Sequence, residues 1–152
     1  MNTNKIPVRT TAVAVITIAT MAGEPKVLML KRTKDHFWSY VSGSIEADET
    51  AIEAVIREVK EETTATIENL YSADYIVQFF DIKHNCLMVV PAFVAYLPAD
   101  SDIVINEEHT DYRWCSLVEA KSLAAFPNQR ALLEHVWLNF IESIPSRYLK
   151  II

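Results

Sequence analysis

Residues 43–65 read GSIEADETAIEAVIREVKEETTA, and the second half of that stretch decides the fold. From Asp48 to Thr63 it reads as a helix, with Thr50 and Glu53 at capping-box spacing near its start. At about 100° per residue, Ile52, Val55, Ile56 and Val59 share one arc, an apolar stripe able to dock on a sheet. Glu58, Glu61 and Glu62 share the neighbouring arc, because positions three and four apart are adjacent on a helix. That arc is costly. Like charges at this spacing repel by a few tenths of a kcal/mol per pair. They also crowd the helix C-terminus, where the macrodipole favours cations. Arg57 and Lys60 offset part of the penalty, and a solvated acidic face is the bland alternative. A bound hard cation would reverse both costs. Clustered carboxylates make an oxygen-only site suited to Mg²⁺, with Mn²⁺ as a substitute.

Outward from this helix, the chain alternates strands and helices. Thr11 to Ala19 and Lys26 to Arg32 read as a β-hairpin around a turn at Met21 to Pro25. A loop through Phe37 and Trp38 leads to a short strand at Ser39 to Ser42, and Gly43 is read as opening the next loop. Beyond the helix, Asp74 to Asp81 and Cys86 to Leu97 read as long strands joined at Ile82 to Asn85. Asn106 to Asp111 is an acidic loop and Tyr112 to Cys115 a short strand. A short helix at Leu117 to Leu123 and a longer one from Asn128 to about Ser143 complete the pattern. In the latter, Leu132, Leu133, Val136, Trp137 and Phe140 recur at helical spacing. The expected architecture is α+β: a mixed central sheet with helices packed on it.

The bulk numbers narrow the function. A chain of 152 residues, 51% hydrophobic and 22% charged, fits one domain with its own core. A net charge of −6 argues against general nucleic-acid binding, which wants a basic face. It leaves room for a polyphosphate substrate if divalent cations bridge the two acids. No apolar run reaches the roughly 18 residues of a membrane span. The polar stretch from Met1 to Thr10 does not read as a signal peptide, so the expected location is cytoplasmic, with no membrane partner. Cys86 and Cys115 have no CxxC spacing and read as small core residues in a reducing compartment.

Spacing over the whole stretch adds the sharper signal. Gly43 is followed by five residues, then Glu49, then seven residues, then Arg57-Glu58-Val59-Lys60-Glu61-Glu62. This resembles the Nudix box, G-x5-E-x7-R-E-(aliphatic)-x-E-E-x-G-(aliphatic), in six charged or glycine positions. A chance match at a given start is on the order of one in ten million at average residue usage. The resemblance implies a Nudix-type α/β/α sandwich, a single domain over residues 1–152 with its box at 43–65. It also implies a metal-dependent hydrolase of nucleoside diphosphate derivatives. By position, Glu58, Glu61 and Glu62 would hold metal, and the Ser42 carbonyl beside Gly43 would join them. Arg57 would orient the glutamates and Glu49 would brace Arg57. Glu58, Glu61 and an acid of the Glu107-Glu108 pair are the candidate general bases. Thr64 and Ala65 depart from the pattern. Glycine there ends the helix in a left-handed conformation, so Thr64 implies a differently built exit.

Outside the box the chain resembles the bacterial subgroup of dihydroneopterin triphosphate or dATP pyrophosphohydrolases. The matching patches are Val27 to Arg32, Phe37-Trp38, Val41 to Ser44, Glu108-His109 with Tyr112 and Trp114, and Asn128 with Arg130. That subgroup also carries threonine at the position of Thr64. The resemblance implies Glu108 as a further metal ligand and His109 as a support of its loop. Arg32 and Arg9 would hold phosphates through planar guanidinium forks. Phe37 and Trp38 would stack on a pterin or purine ring. The implied reaction gives a monophosphate and pyrophosphate, in the pterin case a step toward folate. Other nucleotide substrates remain open, among them nucleotide sugars, dinucleoside polyphosphates and oxidised nucleotides, as does a domain that binds without cleaving. Oligomeric state is not legible.

Overall fold

The computed structural model describes residues 5–152; Met1 to Asn4, part of the polar N-terminal stretch, lie outside them. Eight strands form one mixed sheet, β1 (Val8–Arg9), β2 (Ala12–Met21), β3 (Glu24–Arg32), β4 (Trp38–Ser39), β5 (Val41–Ser44), β6 (Asn69–Asp81), β7 (Cys86–Tyr96) and β8 (His109–Cys115). Among the described residues, three α-helices pack on it: α1 (Ala51–Thr63), α2 (Leu117–Leu123) and α3 (Pro127–Val136). The β2–β3 hairpin turns tightly at Ala22 and Gly23, both left-handed, as the twist of a two-residue hairpin requires. β2 runs parallel to β7 and antiparallel to β3 and β5.

Alternation along the strands separates two cores. Val13, Val15, Leu28, Leu30 and Phe93 pack with Ala54, Val55 and Val59 of α1 on one face. Ala14, Ile16, Ile18, Met29 and Val94 pack with Ala120, Leu132, Leu133, Val136 and Phe140 on the other. This is the expected α/β/α sandwich. Cys86 and Cys115 are free and buried. Among the described residues, no helix is long and apolar enough to cross a membrane.

Several boundaries differ from the sequence reading for local reasons. α1 starts at Ala51, because Asp48 is left-handed and Thr50 is the N-cap; the Thr50–Glu53 capping box is present. Gly43 does not open a loop: it lies inside β5, paired with Val13. β6 begins at Asn69, earlier than expected, and passes through a bulge around Asp74, which is left-handed. α3 ends at Val136 and passes into a wider π turn, Trp137–Ile141, so the helical run stops short of Ser143. The C-terminal segment returns to the sheet, where Leu70 exchanges backbone hydrogen bonds with Ile151 and Ile152.

Two corrections concern α1. Its buried face is Ala54, Val55, Glu58, Val59, Glu62 and Thr63, whereas Ile52 and Ile56 are exposed. The docking stripe is therefore rotated toward the glutamates, and two of the three acids are carried inward. The helix exit also keeps the left-handed conformation expected of glycine: Thr64 has φ 61° and its N–H donates to the Lys60 carbonyl. The Lys60 ammonium in turn donates to the Thr64 carbonyl at 3.0 Å.

Candidate active site

Gly43 brings strand and helix together. A Cβ at this position would overlap the Glu58 carboxyl group where it now lies, so glycine serves a close approach here and not a turn. Strand β5 thus serves as the floor on which Glu58 rests. Ser42, the preceding residue of β5, pairs with Ala14.

Arg57 organises the outer side of the site. All five of its N–H donors are used. Nε and Nη2 form a fork on Glu49, at 2.7 and 2.9 Å. Nη1 donates to Glu58 at 2.8 Å and to Glu61 at 3.2 Å, and Nη2 also donates to the Ser44 carbonyl at 2.8 Å. Glu46, not singled out from sequence, stands 3.6 Å from Nη1. The Glu49 carboxylate also accepts from the Glu46 N–H at 3.0 Å. The Arg57 hydrogen bonds, reinforced by that N–H, hold Glu49 down to about 2. Arg57 itself is raised by the same pairing.

The inner side is built differently. Glu62 is 2% exposed and its Oε2 has no hydrogen-bond partner. Burial first, then the adjoining Glu58 carboxylate and the charges of Glu108 and Glu61, push Glu62 up to about 10. Glu108 is raised as well, by burial and then by Glu58 and Glu61. Beside them His109 is 8% exposed, with Nε2 3.5 Å from Glu62 and Nδ1 unpartnered. Burial, with the Arg32 charge second, lowers its basicity. Glu62, Glu108 and His109 each offer one ligand atom, and these atoms lie within 4.8 Å of one another.

The loop that brings Glu108 in is tied to the end of β3. Thr33 donates its N–H to the Glu108 carbonyl and its hydroxyl to that of Glu107, at 2.9 and 2.8 Å. β8 is longer than the sequence suggested, and its register sets His109 opposite Arg32 across a bulge. His109 was legible only as a loop support; the register with β3 is the signal that places it among the acids.

The structure therefore gathers Glu49, Arg57, Glu58, Glu61, Glu62 and Glu108, with Arg32 one strand position from the group. Arg32 pairs with Asp35 at 3.2 Å and keeps nearly half its side chain exposed. Arg9 is exposed in β1, against the start of β7. Trp38 packs on the α3-side core with Arg113 over its ring at 5.3 Å, and Phe37 meets Phe126 edge-on at 5.2 Å. Those contacts engage both aromatics on the face opposite α1.

The donor set suits a divalent cation. Glu62 has a buried oxygen lacking any partner, Gly43 leaves the volume that the Glu58 carboxyl fills, and the cluster is dominated by carboxylates.

Comparison with known proteins identifies the family and the fold. A family model described as NUDIX domain matches residues 8–136. Over 140 residues the chain is 31% identical to dihydroneopterin triphosphate diphosphatase of Escherichia coli, covering 84% of this chain and 93% of that protein. It is 28% identical to an asymmetrical bis(5'-nucleosyl)-tetraphosphatase of Caenorhabditis elegans, covering 74% and 83%. Among solved structures, the E. coli dihydroneopterin triphosphate pyrophosphohydrolase superposes with a TM-score of 0.75 at 30% identity, covering 89% of this chain and 99% of that one. A C. elegans Ap4A hydrolase binary complex gives 0.75 at 26% identity, covering 86% and 96%.

Proposed function

This chain belongs to the NUDIX domain family, and from that premise we propose that it is a Mg²⁺-dependent pyrophosphohydrolase of a nucleoside triphosphate-like substrate. The expected substrate is dihydroneopterin triphosphate or a purine nucleotide such as dATP, and the products are the monophosphate and pyrophosphate. The observation that carries it is the inner carboxylate cluster, with the unpartnered oxygen of Glu62 at its centre. The 31% identity to a dihydroneopterin triphosphate diphosphatase supports the choice of substrate.

Glu58, Glu61, Glu62 and Glu108 would hold the ion, with the Ser42 carbonyl as a further oxygen. Bound there, the ion would neutralise phosphate charge and make water more acidic. The protein's own groups supply the rest. Arg57, immobilised by Glu49, fixes where Glu58 and Glu61 point. Glu61 is half exposed where Glu58 and Glu62 are buried, so it is the acid that solvent reaches first and the favoured base. A water loses its proton to that base as its oxygen bonds to the α-phosphorus, while the α–β bridging bond breaks and pyrophosphate leaves. Arg32, nearly half exposed beside its partner Asp35, and Arg9 would meet the phosphate oxygens. Phe37 and Trp38 are the ring-stacking candidates in this reading, although both already have packing partners.

A second reading has a specific basis, the equal structural likeness to an Ap4A hydrolase. Product analysis with dihydroneopterin triphosphate, dATP and Ap4A side by side, each with Mg²⁺, separates the two. Pyrophosphate from a triphosphate is the expected outcome. Turnover of Ap4A alone, with both triphosphates inert, overturns the assignment.

A further inference from the structure

We propose that the imidazole of His109 is itself a metal ligand, so that Glu62, Glu108 and His109 form a mixed oxygen–nitrogen subsite favouring Mn²⁺ or a similar transition-metal ion over Mg²⁺. This rests on the reading that the cluster holds a divalent ion, and it adds a nitrogen donor that the all-carboxylate box does not contain.

The case begins with what His109 lacks. A histidine that only supports a loop anchors its ring by hydrogen bonds. His135 does so, with Nε2 2.6 Å from the Ala73 carbonyl, and His84 does so, with Nδ1 2.8 Å from Asp81. His109 has neither. Its Nδ1 is buried without a partner, and the 3.5 Å from Nε2 to Glu62 is longer than a good hydrogen bond. Two adjacent buried side chains, Glu62 and His109, therefore each keep a polar atom unsatisfied. Buried orphans of this kind are rare enough to need a cause, and an ion between the two side chains would take the Glu62 carboxylate and Nε2, the ring nitrogen that faces it.

Geometry allows it. The three ligand atoms span at most 4.8 Å, whereas neighbouring and opposite ligands of a small divalent ion lie about 3 to 4 Å apart. Side-chain movements of about 1 Å close that gap. The backbone is held in readiness: Thr33 clamps Glu107 and Glu108, and His109 is paired in register with Arg32. Imidazole suits the transition metals, while Mg²⁺ prefers oxygen donors and keeps its waters.

The test reads the metal and not the turnover. With one equivalent of Mn²⁺ bound, electron spin-echo envelope modulation should show a directly bound nitrogen-14, and the signal should vanish in His109→Gln. By calorimetry, His109→Gln should weaken Mn²⁺ binding at least about tenfold, a loss typical of a metal-site partner. Mg²⁺ binding should change far less. A wild-type spectrum with Mn²⁺ bound and no nitrogen coupling overturns the inference, as does coupling that persists in the variant. The wild-type spectrum decides the matter even if the variant fails to fold, because among the described residues no other histidine groups with two acids. Failure of Mn²⁺ and Mg²⁺ to bind at all would instead remove the metal-dependent reading of the site.

Discussion

The two sides of the acidic site obey opposite rules. Around Arg57 every donor has an acceptor, and the network of Glu49, Glu58, Glu61 and the Ser44 carbonyl is complete without any further group. Around Glu62 two buried atoms have no partner, and three neighbouring carboxylates raise one another's cost. The contrast separates scaffold from function. The outer side stabilises the protein as it stands and aims Glu58. The inner side is destabilising until a proton or a cation arrives, which is the mark of a site held ready for a ligand.

The largest effect should come from breaking the inner side alone. Glu62→Gln replaces a buried carboxyl group, held protonated in the metal-free protein, with a neutral group of the same shape, so metal-free protein should unfold no more easily than wild type. Turnover at saturating Mg²⁺ should fall by about two to three orders of magnitude, the scale of losing one electrostatic group at a reacting centre. Denaturant melts in a chelator and steady-state rates check the two halves. A variant that keeps near-normal rates would put the metal role of Glu62 aside.

The pH dependence of metal-free stability sharpens the same comparison. Glu62 moves from 4.5 to about 10 on folding. Between those values the folded state binds the extra proton, so stability is greatest at the acid end and declines as pH rises toward 10. One such group changes stability by at most about 1.4 kcal/mol per pH unit. Glu49 has the opposite sign, and its contribution is lost only as pH falls below about 4.5 toward 2. Melts in chelator from about pH 7 to mildly basic pH, above the range in which the lowered His109 titrates, therefore read the raised carboxyl groups, Glu62 foremost and Glu108 with the same sign. Most of the decline should disappear in Glu62→Gln. It should flatten in wild type with Mg²⁺, because the ion binds the deprotonated cluster. A profile in chelator that rises with pH would contradict the placement of Glu62.

On the outer side, Arg57→Lys keeps the charge and loses the fork. Lysine cannot make two parallel bonds to Glu49 while also reaching Glu58 and the Ser44 carbonyl. The rate constant for turnover should drop about 10- to 100-fold, as for loss of an outer partner of a metal ligand. Restoration of the rate by higher Mg²⁺ would mean that Arg57 acts through metal affinity; an unrestored rate would mean that it aims the base.

What the sequence made legible, and what it hid, follows the same division. The outer side could be read because its members are local: Gly43, Glu49, Arg57, Glu58 and Glu61 lie within one stretch, and their spacing is itself the geometry. The sandwich was readable from alternating apolar strands and amphipathic helices. The inner side was only half visible, because Glu108 arrives from the loop before β8 and His109 from its first residue, through a strand register that no local pattern reports. The rotation of α1 was hidden for a related reason. Ile52 and Ile56 look like core residues on a helical wheel, yet the helix sets Glu58 against Gly43 of the sheet and leaves both isoleucines exposed.

Thr64 gives the smallest effect and tests whether the helix exit belongs to the scaffold or to the site. It holds φ at 61°, a conformation costing a residue with a Cβ about 1 kcal/mol or more. Its hydroxyl donates to the Thr63 carbonyl at 2.6 Å, recovering part of that cost. The bonds that close the helix use its backbone: its N–H reaches the Lys60 carbonyl, and its carbonyl receives the Lys60 ammonium. Thr64→Gly retains both and removes the strain, against the larger entropy that glycine has when unfolded. The net should be a gain of about 0.5 to 1 kcal/mol in denaturant melts. Glu62 lies two residues before, fixed by burial and not by the cap. Mg²⁺ affinity and turnover should therefore stay at the wild-type level. A stabilised protein with weakened Mg²⁺ binding would show instead that the strained exit helps to set Glu62, and that the division between scaffold and site runs through the last turn of α1.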